Sequence, residues 1–443
     1  MTLTLPPSIE SRKSKGRTLR ESMPRSRQAE WAPDPNRPPA LNLFMRGTET
    51  RRQELLPIRW ARMGASPFCC YRGGAPLMAF DLAPWPTAGL EVQLCGDAHA
   101  LNLGAYAAQD GSLVFDLNDF DETCRGPFEW DLKRLAASLV LGGWESGHKD
   151  RACGDGVSVM VHAYRDGLRQ FSEMKTEELA HFQVTPRDSV RPLSSIFEQA
   201  ARNSPKQLMK RVTEKDVNGY SRFRFQPPIL RALSIEEESG VLSSLVEYRA
   251  TLGPDRLQIF DAYTPYDTAF KVAGTGSVGV EDYLVMLYGN GPKDVLFLQV
   301  KEADASCWTP YLQTSFQISH EGRRVAEGQH RIQTYSDPLL GWTRIGSKDF
   351  LVRKWSDHKA SVDVRMLAGS ILEEYSILCG KILAKAHART GDAAALSGYC
   401  GQEDGDQLDR AISKFALTYA HQAVEDHAVL VQAIAQGTVE AVS

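Results

Sequence analysis

Apolar residues recur along this chain with two different periods. Leu132, Leu135, Ala136, Leu139 and Val140 stand at i, i+3, i+4, i+7 and i+8, which lays one apolar stripe along a helix. Helical patterning continues to about residue 240, weakening through a polar stretch near 204–228. The character then changes. Phe270-Lys271-Val272, the run from Tyr283 to Leu287 and the run from Val295 to Val300 are short, apolar and separated by Gly-bearing turns, which predicts a sheet-rich unit. A polar helix is expected from Glu321 to about Tyr335, then a strand at Phe350-Leu351-Val352. A long helix follows from about Val362 to Ala388, with Leu367, Ile371, Leu378 and Ile382 on one stripe, and a last one from roughly Asp406 to Ala435. Upstream, Val92-Gln93-Leu94 reads as a short strand. Residues 1–40 hold eight basic and four acidic residues with no apolar periodicity, so a flexible basic tail is expected there. The pattern divides the chain into that tail, a helical lobe over 41–255, a sheet-rich lobe over 256–360 and C-terminal helices over 361–443 that complete the helical lobe.

Composition narrows the function classes. With 443 residues, 42% hydrophobic and 24% charged, the chain is an ordinary globular one. A net charge of -4 argues against a protein dominated by nucleic acid or an anionic membrane. No apolar run approaches the roughly 18 residues of a membrane span, and no stretch near Met1 resembles a secretory signal. The eight cysteines form no C-x-x-C pair and no zinc spacing. Reduced thiols and a cytoplasmic location are therefore expected.

The chemistry concentrates in two places. In Gly96-Asp97-Ala98-His99-Ala100-Leu101-Asn102, an aspartate is followed five residues later by an asparagine. That spacing suits phosphoryl transfer: Asp97 accepts the proton of an attacking hydroxyl and Asn102 helps hold magnesium. His99 either orients this loop or is structural. Gln109-Asp110-Gly111 marks a tight turn and Ser112 to Phe115 a strand, which brings the chain back to Asn118-Asp119-Phe120-Asp121-Glu122. Asp119 is the preferred second metal ligand, with Asp116 a rival and Asp121 third. Magnesium suits such a set, because it takes few protein oxygens and completes its shell with phosphate and water. Asp131, opening the next helix, either accepts N–H bonds from the Asp97 loop or is an ordinary helix-start acid.

The second place is Gly274-Thr275-Gly276-Ser277-Val278-Gly279, a G-x-G-x-x-G. A nucleotide lid, a plain turn and a Rossmann turn all produce it. The run after it looks like a returning strand rather than a helix, which favours a lid whose backbone covers phosphates, with Gly274, Gly276, Ser277 and Gly279 binding the nucleotide. The following strand ends at Lys301, placed to pair with the α- and β-phosphates, with Glu327 on the next helix (Glu321 as runner-up) to hold it. His387 to Asp392 offers H-x-x-x-G-D, but Ser397 stands where asparagine is needed.

Gly96-Asp97-x-His99-x-x-Asn102, the Asn118–Asp121 turn and Trp130-Asp131-Leu132 together resemble the catalytic segments of aminoglycoside and choline phosphotransferases. The chain resembles more closely the bacterial family catalogued as domain of unknown function 2252, through Ser66-Pro67-Phe68 with Tyr71-Arg72-Gly73, the run from Cys95 to Ser138, Lys271 to Gly279, Leu298 to Ala303 and Ala384 to Asp392. Cys95 departs from the histidine usual before this Gly-Asp in the aminoglycoside enzymes. The resemblance implies an α+β, two-lobed, protein-kinase-like fold and an enzyme using ATP and Mg2+ to phosphorylate a hydroxyl of an unknown small-molecule or protein acceptor. Nucleotidyl (AMP) transfer on the same fold, a non-catalytic nucleotide-binding regulator and a metal-dependent hydrolase built on 116–122 are the alternatives. Order is the large departure: the lid follows the Asp97 loop instead of preceding it, which implies a circular permutation.

Overall fold

A computed structural model describes residues 6–442 apart from 109, 189–190, 204, 218, 273, 313–318, 356–358 and 402–404; Gln109 of the expected turn and residues 1–5 of the expected tail lie outside it. The chain is an α+β protein of antiparallel sheets. β1 (Glu91–Leu94) leads to a hairpin of β2 (Leu103–Ala107) and β3 (Leu113–Leu117), and β4 (Cys124–Pro127) returns to pair with β1. β5 (Thr213–Lys215) and β6 (Ser221–Phe223) form a small ribbon. A six-stranded sheet follows from β7 (Leu230–Arg231), β8 (Thr264–Lys271), β9 (Asp282–Tyr288), β10 (Val295–Glu302), β11 (Gly341–Ile345) and β12 (Lys348–Lys354), in the order β11-β12-β10-β9-β8-β7. Short β13 (Ala360–Ser361) then widens the β2–β3 hairpin.

The two sequence periods reappear as two kinds of packing. Successive side chains of a strand point to opposite faces. Tyr283, Val285 and Leu287 accordingly join Phe270, Leu298, Val300 and the Ile235–Ala250 helix on one side of the large sheet. Leu284 and Met286 join Ala269, Phe297 and Leu208 on the other. The helices Phe128–Glu145, Asp150–Glu173, Ile371–Thr390 and Gln407–Ala435 share a separate apolar core with β1 to β4. Gly380 sets the approach of two of these helices, since a Cβ there would lie 2.1 Å from the Met160 carbonyl oxygen.

Three expectations are corrected. The N-terminal segment is not a free tail: Ile9–Ser22 is a helix against Ala393–Cys400, where a Cβ on Gly16 would meet the Ala395 oxygen at 2.0 Å. Its polarity misleads because the arginines are used inward. Arg20 donates to the Tyr399 carbonyl (3.0 Å), and Arg37 is clamped between Asp81 and Asp426. The sheet lobe begins near residue 205 rather than 256, because Leu208, Phe223 and the Ile235–Ala250 helix cover the sheet. The long C-terminal helix starts at Ile371, after a single turn at Val364–Met366.

Candidate active site

The loop that follows β1 lies against the turn that follows β3, and glycine makes this approach possible. Gly96 has φ +83°, and a Cβ there would come within 1.9 Å of the Glu122 carbonyl oxygen. The two oxygens of Asp131 accept the N–H groups of Cys95 (2.7 Å) and Gly96 (3.0 Å), so Asp131 caps the Asp97 loop. Asp97 Oδ1 accepts Nε of the fully buried Arg134 at 2.6 Å, and Arg134 Nη2 reaches the Tyr71 carbonyl at 2.9 Å. His99 Nε2 stands 3.9 Å from Asp97 Oδ2. Burial pushes the His99 imidazole down to about 4; Asp97 opposes this, while Arg72 and Arg134 reinforce it. The ring is neutral at pH 7.

The acidic turn separates three carboxylates that sequence alone cannot rank. Asp119 is open to the cleft and, among the described residues, its carboxylate has neither hydrogen bond nor ion pair. Enclosure by the walls works against its charge, but Lys301, Arg353 and Lys359 together outweigh this and hold the carboxyl at about 2. Asp121 contacts the Lys301 ammonium. Burial and the charge of Asp119 raise the Asp121 pKa, whereas Lys301, despite burial, is raised by Asp121 and Asp119.

Two expected metal ligands are corrected. Asp116 is buried and paired with the buried ammonium of Lys385, away from both cavities of the cleft. It points inward because β3 alternates its faces. Asn102 works as a clamp: Nδ2 donates to the carbonyls of Asp97 (2.9 Å) and Asp119 (3.0 Å), while Oδ1 accepts the N–H groups of Asp119 (2.7 Å) and Asn118 (3.2 Å). Its oxygen is engaged by backbone donors. Among the described residues no group of three or more His, Cys, Asp or Glu side chains forms a metal cluster.

Glu327 is a third correction. It faces solvent and pairs with Arg323 (2.7 Å) and Arg331 (3.5 Å) on its own helix, Glu321–Ile332. The runner-up Glu321 bonds Arg324. The helix holds the site through Arg324 instead, whose Nη2 donates to the carbonyls of Asp121 (2.9 Å) and Asp304 (2.8 Å). Gly328 permits this contact, since a Cβ there would meet Thr123 Cγ2 at 2.4 Å.

The glycine loop joins β8 to β9 as a hairpin, with Gly274 at φ +73° and Gly279 at φ +94°. Its carbonyls are bound by arginines. Arg62 binds Gly274, Arg59 binds Thr275 (3.2 Å) and Gly276, and Arg51 binds Gly276 (2.8 Å) and Val278 (2.7 Å). Among the described residues, the N–H groups of Thr275, Gly276 and Ser277 make no hydrogen bond. Successive free N–H groups of this kind suit an anion.

Both walls meet in one cleft with two cavities. One, of 130 Å³, is lined by Asp97, Asp119 and Asp121 on one side and Gly274 to Ser277 on the other. The second, of 390 Å³, reaches Asn118, Arg353, Lys359 and Ser361. Arg72, His99 and Asp119 line both. Sequence reasoning missed the arginines. Arg134 was findable, since it lies one turn after Asp131 on the same helix face; Arg51, Arg59 and Arg62 carry no motif and declare themselves only in the fold.

The model of a family described as "Uncharacterized protein conserved in bacteria (DUF2252)" matches residues 51–433, and the chain belongs to that family. No curated protein and no solved structure matches the chain significantly. All eight cysteines are free thiols, and no helix among the described residues is long and apolar enough to cross a membrane.

Proposed function

We propose that the chain is an ATP- and magnesium-dependent phosphotransferase of two-lobed, kinase-like fold that moves the γ-phosphoryl group to a hydroxyl of its acceptor. One observation carries this reading. The glycine hairpin and the acidic turn, far apart in sequence, line one cleft, and the buried Lys301 ammonium touches Asp121 of that turn. The order within the sheet lobe supports it: a glycine hairpin, a lysine on the strand that follows it and then a helix is the sequence of parts that handles ATP phosphates in kinases. The permutation also has support. Thr390, ending the long C-terminal helix, accepts the Gln93 N–H on its hydroxyl at 3.1 Å, and a Cβ on Gly391 would lie 3.2 Å from the Glu91 oxygen. That helix therefore stops where an unpermuted chain would run into β1 and the Asp97 loop.

In this reading Asp97, fixed by Arg134, orients the acceptor hydroxyl and receives its proton. Lys301 exchanges Asp121 for the α- and β-phosphates, and the free N–H groups of the glycine loop cover them. The open, strongly acidic carboxylate of Asp119 fits magnesium, with Asp121 beside it once Lys301 turns to phosphate; Asn102 fits only as the clamp that sets Asp119. The chemistry a bound magnesium ion supplies is neutralisation of phosphate charge. The 390 Å³ cavity falls within the roughly 300–1,000 Å³ of small-molecule sites.

A second reading has a specific observation behind it. Arg353 and Lys359 give the larger cavity a cationic lining, and a triphosphate pointing there would offer its α-phosphate to Asp97, giving AMP transfer. Calorimetry with ATP and magnesium tests both readings, and mass spectrometry of the products tells a phosphoryl from an adenylyl adduct. No binding at millimolar nucleotide would sink both.

A further inference from the structure

We infer that Arg72 is a catalytic residue: an arginine supplied within the chain that meets the equatorial oxygens of the phosphoryl group during transfer. The inference rests on the phosphotransferase reading above and assigns it a part that no motif covers. Arg72 sits at the end of the short Pro67–Gly73 helix, half-buried, on the seam between the two cavities. Its Nε is buried without a hydrogen-bond partner, and among the described residues its guanidinium pairs with no carboxylate. A buried donor left unmade is costly, so the site is built for something that completes it.

The neighbouring arginines already have structural duties. Arg134 serves Asp97 and the Tyr71 carbonyl, Arg59 and Arg51 serve the lid, Arg324 serves the acidic turn, and Arg353 Nε donates to Gln299 at 2.9 Å. Arg46, exposed at the rim of the smaller cavity, lies over the Phe80 ring at 5.1 Å, whereas Arg72 is half-buried at the seam, on a helix tied to both walls. Arg59 links the Gly73 carbonyl (3.0 Å) to the lid, and Arg134 links the Tyr71 carbonyl to Asp97. A Cβ on Gly276 would lie 3.6 Å from the Arg72 carbonyl oxygen, so the lid tip rests beside this residue. A second orphan marks the same seam: His99, 7% exposed, lines both cavities and has a buried Nδ1 without a partner. Two unpartnered nitrogens thus lie at this seam beside Asp97 and Asp119, and with the His99 ring neutral the positive charge there is that of Arg72.

The step balances as follows. The acceptor oxygen forms a bond to Pγ while the bond from Pγ to the β,γ-bridging oxygen breaks. The electron pair leaves with the β-phosphate of ADP, and the acceptor proton passes to Asp97. Arg72 exchanges no proton; its planar fork matches the charge spread over the equatorial oxygens, which a lysine reproduces only as a point charge.

The test uses the full chain, hydrolysis of ATP with magnesium as its readout, and ADP·Mg·fluoroaluminate as a mimic of the transferring group. Arg72→Ala should lower kcat by about 10³-fold while changing ATP affinity far less, and should abolish the extra affinity for the fluoroaluminate complex over ADP alone. Arg72→Lys should restore only a small part, and added guanidinium should rescue the alanine variant. Should Arg72→Ala not fold, Arg72→Lys and Arg72→Gln carry the same comparison. Retained kcat, or a loss of ATP affinity as large as the loss of kcat, overturns the assignment. A wild-type chain that neither binds nor hydrolyses ATP removes the phosphotransferase reading itself, which is a different failure from a working enzyme indifferent to Arg72.

Discussion

On the acidic wall of the cleft the backbone around Asp97 and Asp119 is fastened by buried side chains: Asp131 takes two N–H groups, Asn102 takes two and gives two, and Arg324 holds the carbonyl of Asp121. On the glycine wall, among the described residues, the loop is held at its carbonyls by the side chains of Arg51, Arg59 and Arg62 and by the N–H of Arg52. The difference divides the labour. The acidic wall is pre-formed, as positioning chemistry of the proposed kind requires. The glycine wall, among the described residues, is tied through its carbonyls and leaves the N–H groups of Thr275, Gly276 and Ser277 free.

Breaking the fixed wall at its reactive point gives the largest effect. Asp97→Asn should lower turnover by about 10³-fold, within the usual range for a positioned base, and leave ATP binding unchanged by calorimetry. An unaltered rate would remove Asp97 from the chemistry. Next comes the contrast of Asp116 with Asp119, three residues apart. Asp116→Ala strands the buried Lys385 and should cost about 3–5 kcal/mol in urea unfolding, with turnover per folded molecule unchanged; Asp116→Leu with Lys385→Met should recover most of that stability. A full loss of activity in the folded double variant would return Asp116 to the site.

The pH dependence sharpens the same wall. The folded pKa of His99, about 4, lies below its unfolded value near 6.5, so in that interval only the unfolded chain takes the proton. Stability is therefore complete above about pH 6.5 and falls as pH drops toward 4, by roughly 3 kcal/mol from this residue. His99→Gln should flatten that part of a stability–pH curve. On the opposite wall, Lys301→Met should weaken ATP binding about 10- to 100-fold through the loss of charge-assisted bonds to phosphate. Equal affinity would detach the lysine from the nucleotide. The smallest change is Glu327→Ala: exposed and paired only along its own helix, it should move stability by less than about 0.5 kcal/mol and leave turnover unchanged. A defect resembling that of the lysine variant would restore Glu327 as its partner.

What the sequence made legible follows from which interactions are local. The Gly96–Asn102 loop, the β2–β3 return to Asp119 and the glycine hairpin were readable because turn residues and short periods encode them. The cap by Asp131 was one of two open readings, and its geometry decided it. Asp116 against Asp119 was not readable, since the choice depends on Lys385, more than 250 residues away. Glu327 misled because the helix is correctly placed but rotated, turning Arg324 rather than the glutamate toward the turn. The N-terminal segment was hidden by its polarity: Arg20 spends its charge on a carbonyl of the Ala393–Cys400 helix and Arg37 on Asp81 and Asp426, partners no local pattern can show.

The meeting of Thr390 with Gln93 has a consequence for synthesis. β1 ends at Leu94, and the helix it lies against begins only at Ile371. At about 5–20 residues per second, a ribosome needs roughly a quarter of a minute to a minute to cover that gap. Throughout it the nascent N-terminal half presents an apolar surface whose natural cover has not yet been made. Expression of this chain should accordingly respond to holdase chaperones and to translation speed more than its length alone suggests.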